Sequence, residues 1–392
     1  MKTRENIAGA GILAVLVTLV LLPLLAVLVQ VVCPGLAPEE FHLGNLSLIV
    51  DVFTRPLWKK AFLHSASLGL ATTAAGLLLA GILAHIRVKY AFPLAKLLDL
   101  VSWILMIMPS FLLAQGWVFF ASGNGIASSW LHIKGMSSFL FSFPGLVTVM
   151  VLCKFPLAYV AIKAALEWYP ARLVHAARMN GASPFKVWAS VQLPLCLPTY
   201  FSAAMLIFMD TVGDYGMSST ITAVYSFPTL PYTIYSAICS SPVRFDMAGV
   251  LSMYLVFMIV IAMALQFYMM GRKRFDFLGS GTEQVVPKPV SGMKSAALNI
   301  GSGIFCLVAL GIPVGSNFIM SFSDSFSIQK FRFTLDNYKN VLQIDGALLE
   351  GIRHSLSLAA VAAIVGLVLG FAVAYVLTYS QFGLKRFIDM LT

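Results

Sequence analysis

Eight apolar stretches, each long enough to cross a bilayer, leave this chain few folds to adopt. They lie at residues 7–32, 62–86, 97–121, 139–166, 199–223, 247–271, 298–321 and 355–379. A hydrocarbon core takes about 20 residues of α-helix. Within it every backbone N–H and C=O must be bonded internally, so runs of this length without strict alternation are helices. The expected fold is therefore all-α, a polytopic transmembrane bundle. Composition agrees: 59% of the residues are hydrophobic and 11% charged, against about 25% charged in soluble domains. The first run follows Lys2 and Arg4 but is too long for a secretion-signal core and lacks a small-residue cleavage site, so it is expected to stay as a span.

The net charge of +10 would point to nucleic acid in a soluble chain, but here Lys and Arg flank apolar runs and set orientation instead. No nucleic-acid partner is expected; the lipid bilayer is. With the N-terminus in the cytoplasm, Lys2, Arg4, Arg87, Lys89, Lys96, Arg172, Arg178, Lys186, Arg272, Lys273, Arg274, Lys288 and Lys294 fall inside. The opposite loops of the first six spans hold only Arg55, Lys59, Lys60, Lys134 and Arg244. This asymmetry predicts that both ends of those spans are cytoplasmic; the expected location is the bacterial inner membrane, multi-pass. The five cysteines, Cys33, Cys153, Cys196, Cys239 and Cys306, are scattered without a C-x-x-C pair and read as small apolar filler.

A shift of 290 residues superimposes the chain on itself. His64-Ser65 falls on His354-Ser355, Ser67 on Ser357 and Gly76 on Gly366. Pro23 meets Pro313, Ala84 meets Ala374, Phe41 meets Phe331, and Phe92, Leu94 and Asp99 meet Phe382, Leu384 and Asp389. The His-Ser, Pro, Gly and Asp identities in one register indicate two parallel copies of a six-span module. The domains expected are a first module at 1–271, a polar Gly/Ser/Pro-rich cytoplasmic linker at 272–296, and the start of a second module at 297–392. The counterpart of 103–271 is missing from that second copy, which is expected to be truncated.

The loop after the fourth span, Glu167 to Pro194, is polar and amphipathic. Within it His175-Ala176-Ala177 is followed after three residues by Gly181, and nine residues later by Val191-Gln192-Leu193-Pro194. This spacing resembles the loop signature of permeases in binding-protein-dependent ATP-binding-cassette importers, with His175 in place of an acidic residue and Val191 in place of Ile. In physical terms it reads as helix–turn–helix: Ala176 and Ala177 allow close docking, Gly181 the reversal, and Leu193-Pro194 a stop before the fifth span. The resemblance implies that the loop docks into a cytoplasmic ATPase dimer and that a periplasmic or extracellular substrate-binding protein delivers cargo. It implies no cofactor. No G-x-x-x-x-G-K-[ST] is present, so the chain has no phosphate cradle and is expected to be a transport permease, not an enzyme.

A narrower resemblance lies in Asp210-Thr-Val-Gly-Asp214-Tyr215-Gly216 and Thr229-Leu-Pro-Tyr-Thr-Ile-Tyr235, which look like the fifth-span region of two-module ferric iron permeases. Asp210 stands where Glu is usual and Gly213 where Ala is. Carboxylates within a span cost about 2.5–3.5 kcal/mol each on insertion scales, so they mark a pathway or a polar partner. At i, i+4 they share a helix face, and hard oxygens suit a ferric ion. Asp210, Asp214, Tyr215 and Gly216 are the candidate translocation residues. Thiamine, polyamine and phosphonate permeases resemble this region too. An ion-coupled secondary transporter would explain the repeat and the acids but not the loop. A membrane enzyme would need more paired polar groups. Lys154 and Lys163 are expected to pair or snorkel, Pro109 and Pro144 to kink their spans, and His64 and His354 to be structural. No metal site is expected.

Overall fold

The computed structural model describes residues 2–32, 49–50, 54–168, 171–222, 225–271, 285–325, 328–343, 347–379 and 383. Cys33, Phe41, Arg272–Arg274, Phe382, Leu384 and Asp389 lie outside them. The helices run in chain order as α1 (Lys2–Leu16), α2 (Leu22–Val32), α3 (Pro56–Lys89), α4 (Ala95–Ile107), α5 (Ser110–Ala121), α6 (Ile126–Ser129), α7 (Met136–Leu140) and α8 (Phe143–Glu167). There follow α9 (Ala171–Met179), α10 (Pro184–Val187), α11 (Leu193–Val212), α12 (Tyr215–Thr222), α13 (Leu230–Cys239) and α14 (Phe245–Gly271). The last are α15 (Gly292–Cys306), α16 (Ile312–Ser321), α17 (Asp336–Gln343) and α18 (Ala347–Tyr379). Seven helical stretches are long and apolar enough to span a membrane, and an eighth is a bent pair. The all-α transmembrane fold is as expected.

Two compact units result. The larger comprises 49–244 and 251–332, and the smaller 1–48, 245–250 and 333–392. In the larger, α8 is the central helix: Leu146, Met150, Phe155, Tyr159 and Ile162 are buried on several of its faces, as a helix apolar all round requires. Against it and α11 packs α3, whose small residues admit close approach. A Cβ at Gly76 would lie 3.2 Å from Ile207, and one at Gly81 3.1 Å from the Tyr200 hydroxyl, the small-residue packing that serves where lipid supplies no hydrophobic drive. In the smaller unit Leu16 of α1 packs on Val373 and Val376 of α18.

Three π turns share one cause. Val17–Leu21, Trp188–Gln192 and Leu307–Gly311 each precede a helix with proline at its second position: Pro23, Pro194 and Pro313. Proline lacks an N–H and its ring presses on the carbonyl four residues back. Widening the turn relieves that clash while the preceding residue bonds five back, as Leu22 N does to Val17 O and Leu193 N to Trp188 O. Pro194 therefore does not end the loop as expected: Pro184–Val212 is one continuous span. The first and last π turns are 290 residues apart. At the same offset α1 maps onto α15, α3 ends where α18 ends, and Ser67 and Ser357 each donate to the carbonyl of their preceding His, at 3.1 and 2.9 Å.

Other boundaries differ from the sequence reading. The third span is two helices bent by 107° at Met108–Pro109, because the residue before a proline is pushed out of the α region (Met108 ψ 131°). The fifth span ends at Val212 and restarts at Tyr215. Asp210 and Asp214 thus do not share one helix face. The linker region is already helical from Gly292.

Candidate functional site

Two polar places stand out in the larger unit. The first is the loop. Gly181 has φ +77°, its N–H donates to Arg178 O (3.0 Å), and Ala182 N–H donates to Ala177 O (3.1 Å). These bonds form a Schellman cap, with Ala177 three positions before the cap residue, Gly181 just past it and Ala182 next. The Ala-x-x-x-Gly spacing is the spacing such a cap needs. Ser183 then caps α10, its hydroxyl accepting from Lys186 N (3.3 Å), and Pro184 occupies the first helical position. Val174 and Val187 are buried, whereas Met179 and Phe185 are 89% and 73% exposed. His175 and Ala176 are exposed, Ala177, Val191, Leu193 and Pro194 half-buried.

The loop is tied to α3. Trp188 Nε1 donates to His85 Nε2 at 3.1 Å. Indole nitrogen only donates, so Nε2 is the acceptor and Nδ1 carries the proton it gives to Gly81 O at 2.8 Å. At the same end Asp99 gathers Arg87 (2.8 Å), Lys163 (2.8 Å) and the Tyr159 hydroxyl (2.7 Å). Val285 N bonds to Glu167 O, and Tyr90–Ala91 pairs in parallel with Lys288–Pro289. The segments around 85–99, 163–188 and 285–290, which carry most of the basic residues assigned to the cytoplasm, therefore meet at one end.

The second place lies inside the span region. Lys154 is about 17 Å from the start of α8 at 1.5 Å per residue. Its Nζ bridges Asp210 Oδ2 (2.7 Å) and Asp214 Oδ2 (2.6 Å). Asp214 Oδ1 also accepts from Ser110 Oγ (3.0 Å) and from Met217 N (2.8 Å), capping α12. Both broken spans contribute: Ser110 opens α5 after the Pro109 bend, and Asp214 sits in the gap between α11 and α12. Gly216 lets these ends touch, since a Cβ there would lie 2.9 Å from Ser110 Oγ. The Asp214 side chain is 4% exposed and that of Asp210 47%. Asp210 faces a cavity of about 340 Å³ shared with Met108, Lys154, Tyr215 and Gly216. With Lys154 ionised the cluster carries one net negative charge. Among the described residues no group of three His, Cys, Asp or Glu could hold a metal ion.

The sequence-predicted residues thus separate into two clusters: His175 to Pro194 at one helix end, and Asp210 to Gly216 with Lys154 in the interior. Lys154, Lys163 and Asp99 pair as salt bridges. The Lys154–Asp210, Lys154–Asp214 and Lys163–Asp99 pairs join residues 56–64 positions apart, a separation that no local spacing signals.

Discontinuous helices meeting at an ionic site within the span region are an arrangement that transport proteins use. The chain belongs to the family described as binding-protein-dependent transport system inner membrane component, which matches residues 75–274, and it is a multi-pass membrane protein. It is similar to the molybdenum transport system permease protein ModB of Escherichia coli (strain K12), 31% identical over 159 residues that cover 40% of this chain and 69% of ModB. It is also similar to the ferric transport system permease protein FbpB of Actinobacillus pleuropneumoniae, 22% identical over 405 residues. That match covers all of this chain and 57% of FbpB. Among solved structures, the crystal structure of a bacterial ABC transporter involved in import of the acidic polysaccharide alginate shares the fold, with TM-score 0.50 and 15% identity. It covers 66% of this chain and 92% of that one.

Proposed function

We propose that this chain forms the translocation pathway of an ATP-driven importer for a small nutrient delivered by an external binding protein. In this reading an ATPase dimer docks on the His175–Pro194 loop. The capped loop with Met179 and Phe185 projecting from it carries the proposal, because exposed apolar side chains on a rigid turn are what a partner's groove would bury. The 290-residue coincidence of helix ends and π turns supports two parallel modules, at 1–271 and 297–392, joined by a linker.

Asp210, Asp214, Tyr215 and Gly216 line the route, with Lys154 as counter-ion. One net negative charge favours a cation, and ferric iron is the substrate class best supported, since the ferric permease is similar along the whole of this chain. Two carboxylates give a weak site, and transport needs a site that releases its cargo. A second reading, an oxyanion, draws on the molybdenum relative, on similarity to permeases whose names give sulfate and 2-aminoethylphosphonate, and on the helix N-terminus of α5. Uptake by the complete transporter separates the two. For a cation, Asp210→Asn, compared at equal expression, slows import; for an oxyanion, removing that negative charge speeds it.

A further inference from the structure

A cavity of about 570 Å³ lies between the loop, the end of α3 and the strap at 285–288. Lys89, His175, Arg178 and Lys288 line it, and among the described residues no Asp or Glu does. Among the described residues none of these four forms an ion pair, and the nearby Glu167 carboxylate is turned to Lys163 at 3.7 Å. His175 occupies the position where the loop signature has an acid, so this chain's departure from the signature leaves an imidazole in the cavity wall where a carboxylate would stand. The rest of the lining is largely apolar or aromatic, with Ile86, Leu166, Val174, Val187, Tyr90 and Trp188. The cavity sits where α3 and α8 end, the level at which spanning helices reach lipid headgroups.

We propose that this cavity binds the phosphate of an acidic phospholipid, with Lys89, Arg178 and Lys288 around the headgroup and the apolar wall beside the upper acyl chain. The charge is complementary and the lining amphipathic. A free phosphate ion would leave the apolar wall uncovered, which favours the lipid as the source. Lys89 is prearranged, its Nζ held 5.1 Å over the Tyr90 ring.

The test is native mass spectrometry of the full chain purified in detergent and titrated with phosphatidylglycerol or phosphatidylcholine. The wild type should retain phosphatidylglycerol selectively. Lys89→Gln/Arg178→Gln/Lys288→Gln should weaken it on the order of a hundredfold, taking the contribution of each basic residue near a headgroup as about fivefold. A control with equal charge loss elsewhere, Lys134→Gln/Lys330→Gln/Arg332→Gln, should not. His175→Glu, an exposed change that spares folding, should weaken retention as well. Equal retention by the triple variant and the control, or no preference over phosphatidylcholine, overturns the proposal. Displacement of the lipid by millimolar inorganic phosphate also overturns it, by making the site one for the free ion.

Discussion

Replacing Gly181 tests the loop through backbone conformation alone. Its φ of +77° is left-handed, and a Cβ built there meets nothing within 4 Å. Gly181→Ala therefore adds no clash and costs only the left-handed penalty, about 1–2 kcal/mol. A β-branched residue approaches the upper end of about 1–3 kcal/mol for a strained backbone site, and Gly181→Asn, tolerated in this region, falls below both. The bond reporting the strain is Ala182 N–H to Ala177 O. Its amide should exchange faster by about 100-fold in Gly181→Val, at 1.4 kcal/mol per tenfold, less in Gly181→Ala and least in Gly181→Asn. The turn lies outside the spans, so insertion and yield should hold while ATPase stimulation and uptake fall in the same order. Unchanged exchange in Gly181→Val, or a ranking by side-chain volume in which Asn is worse than Ala, would refute the reasoning.

Asp214→Asn should lower the thermal stability of the detergent-solubilised protein more than Asp210→Asn. Asp214 is buried with three partners, whereas Asp210 is half-exposed with one; equal shifts in a thermal-unfolding assay would contradict this. Lys154→Met removes the shared cation and should cost about 3–5 kcal/mol, the loss expected when one partner of a buried ionic group goes. Adding Asp210→Asn and Asp214→Asn to it should restore yield, and a triple variant as unstable as the single one would count against the ionic account. Cysteines placed at Gly123 and Ser241 should react with an impermeant reagent added outside, while one at Ser183 should not. Labelling at Ser183 would put the loop on the wrong side.

The spans and the coincidence of helix ends at the 290-residue offset were readable because hydropathy and proline act locally. A 20-residue apolar run has one stable form in lipid, and Pro23 and Pro313 stand at the same place in their helices, each just after a π turn. The Gly181 cap was readable for the same reason, since its hydrogen bonds reach back only three and five residues. The two breaks were harder. Pro109 announces a kink but not its 107° size, and the gap at Gly213-Asp214 depends on Ser110 and Lys154 arriving from other helices. Pairing of Lys154 with both carboxylates turns two costly charges into a satisfied cluster, and no periodicity within α8 or α11 encodes it. Leu193-Pro194 misled because proline at a helix's second position is compatible with a continuous span when a π turn precedes it.

The energy source of uptake tests the central claim most directly. Proteoliposomes holding the complete transporter, with its ATPase and binding protein, should take up cargo when ATP is supplied. That uptake should persist when a proton ionophore collapses the ion gradient and stop when the ATPase is inhibited by vanadate. Uptake that tracks an imposed ion gradient, continues without ATP and is untouched by vanadate would contradict the account and make the chain an ion-coupled transporter.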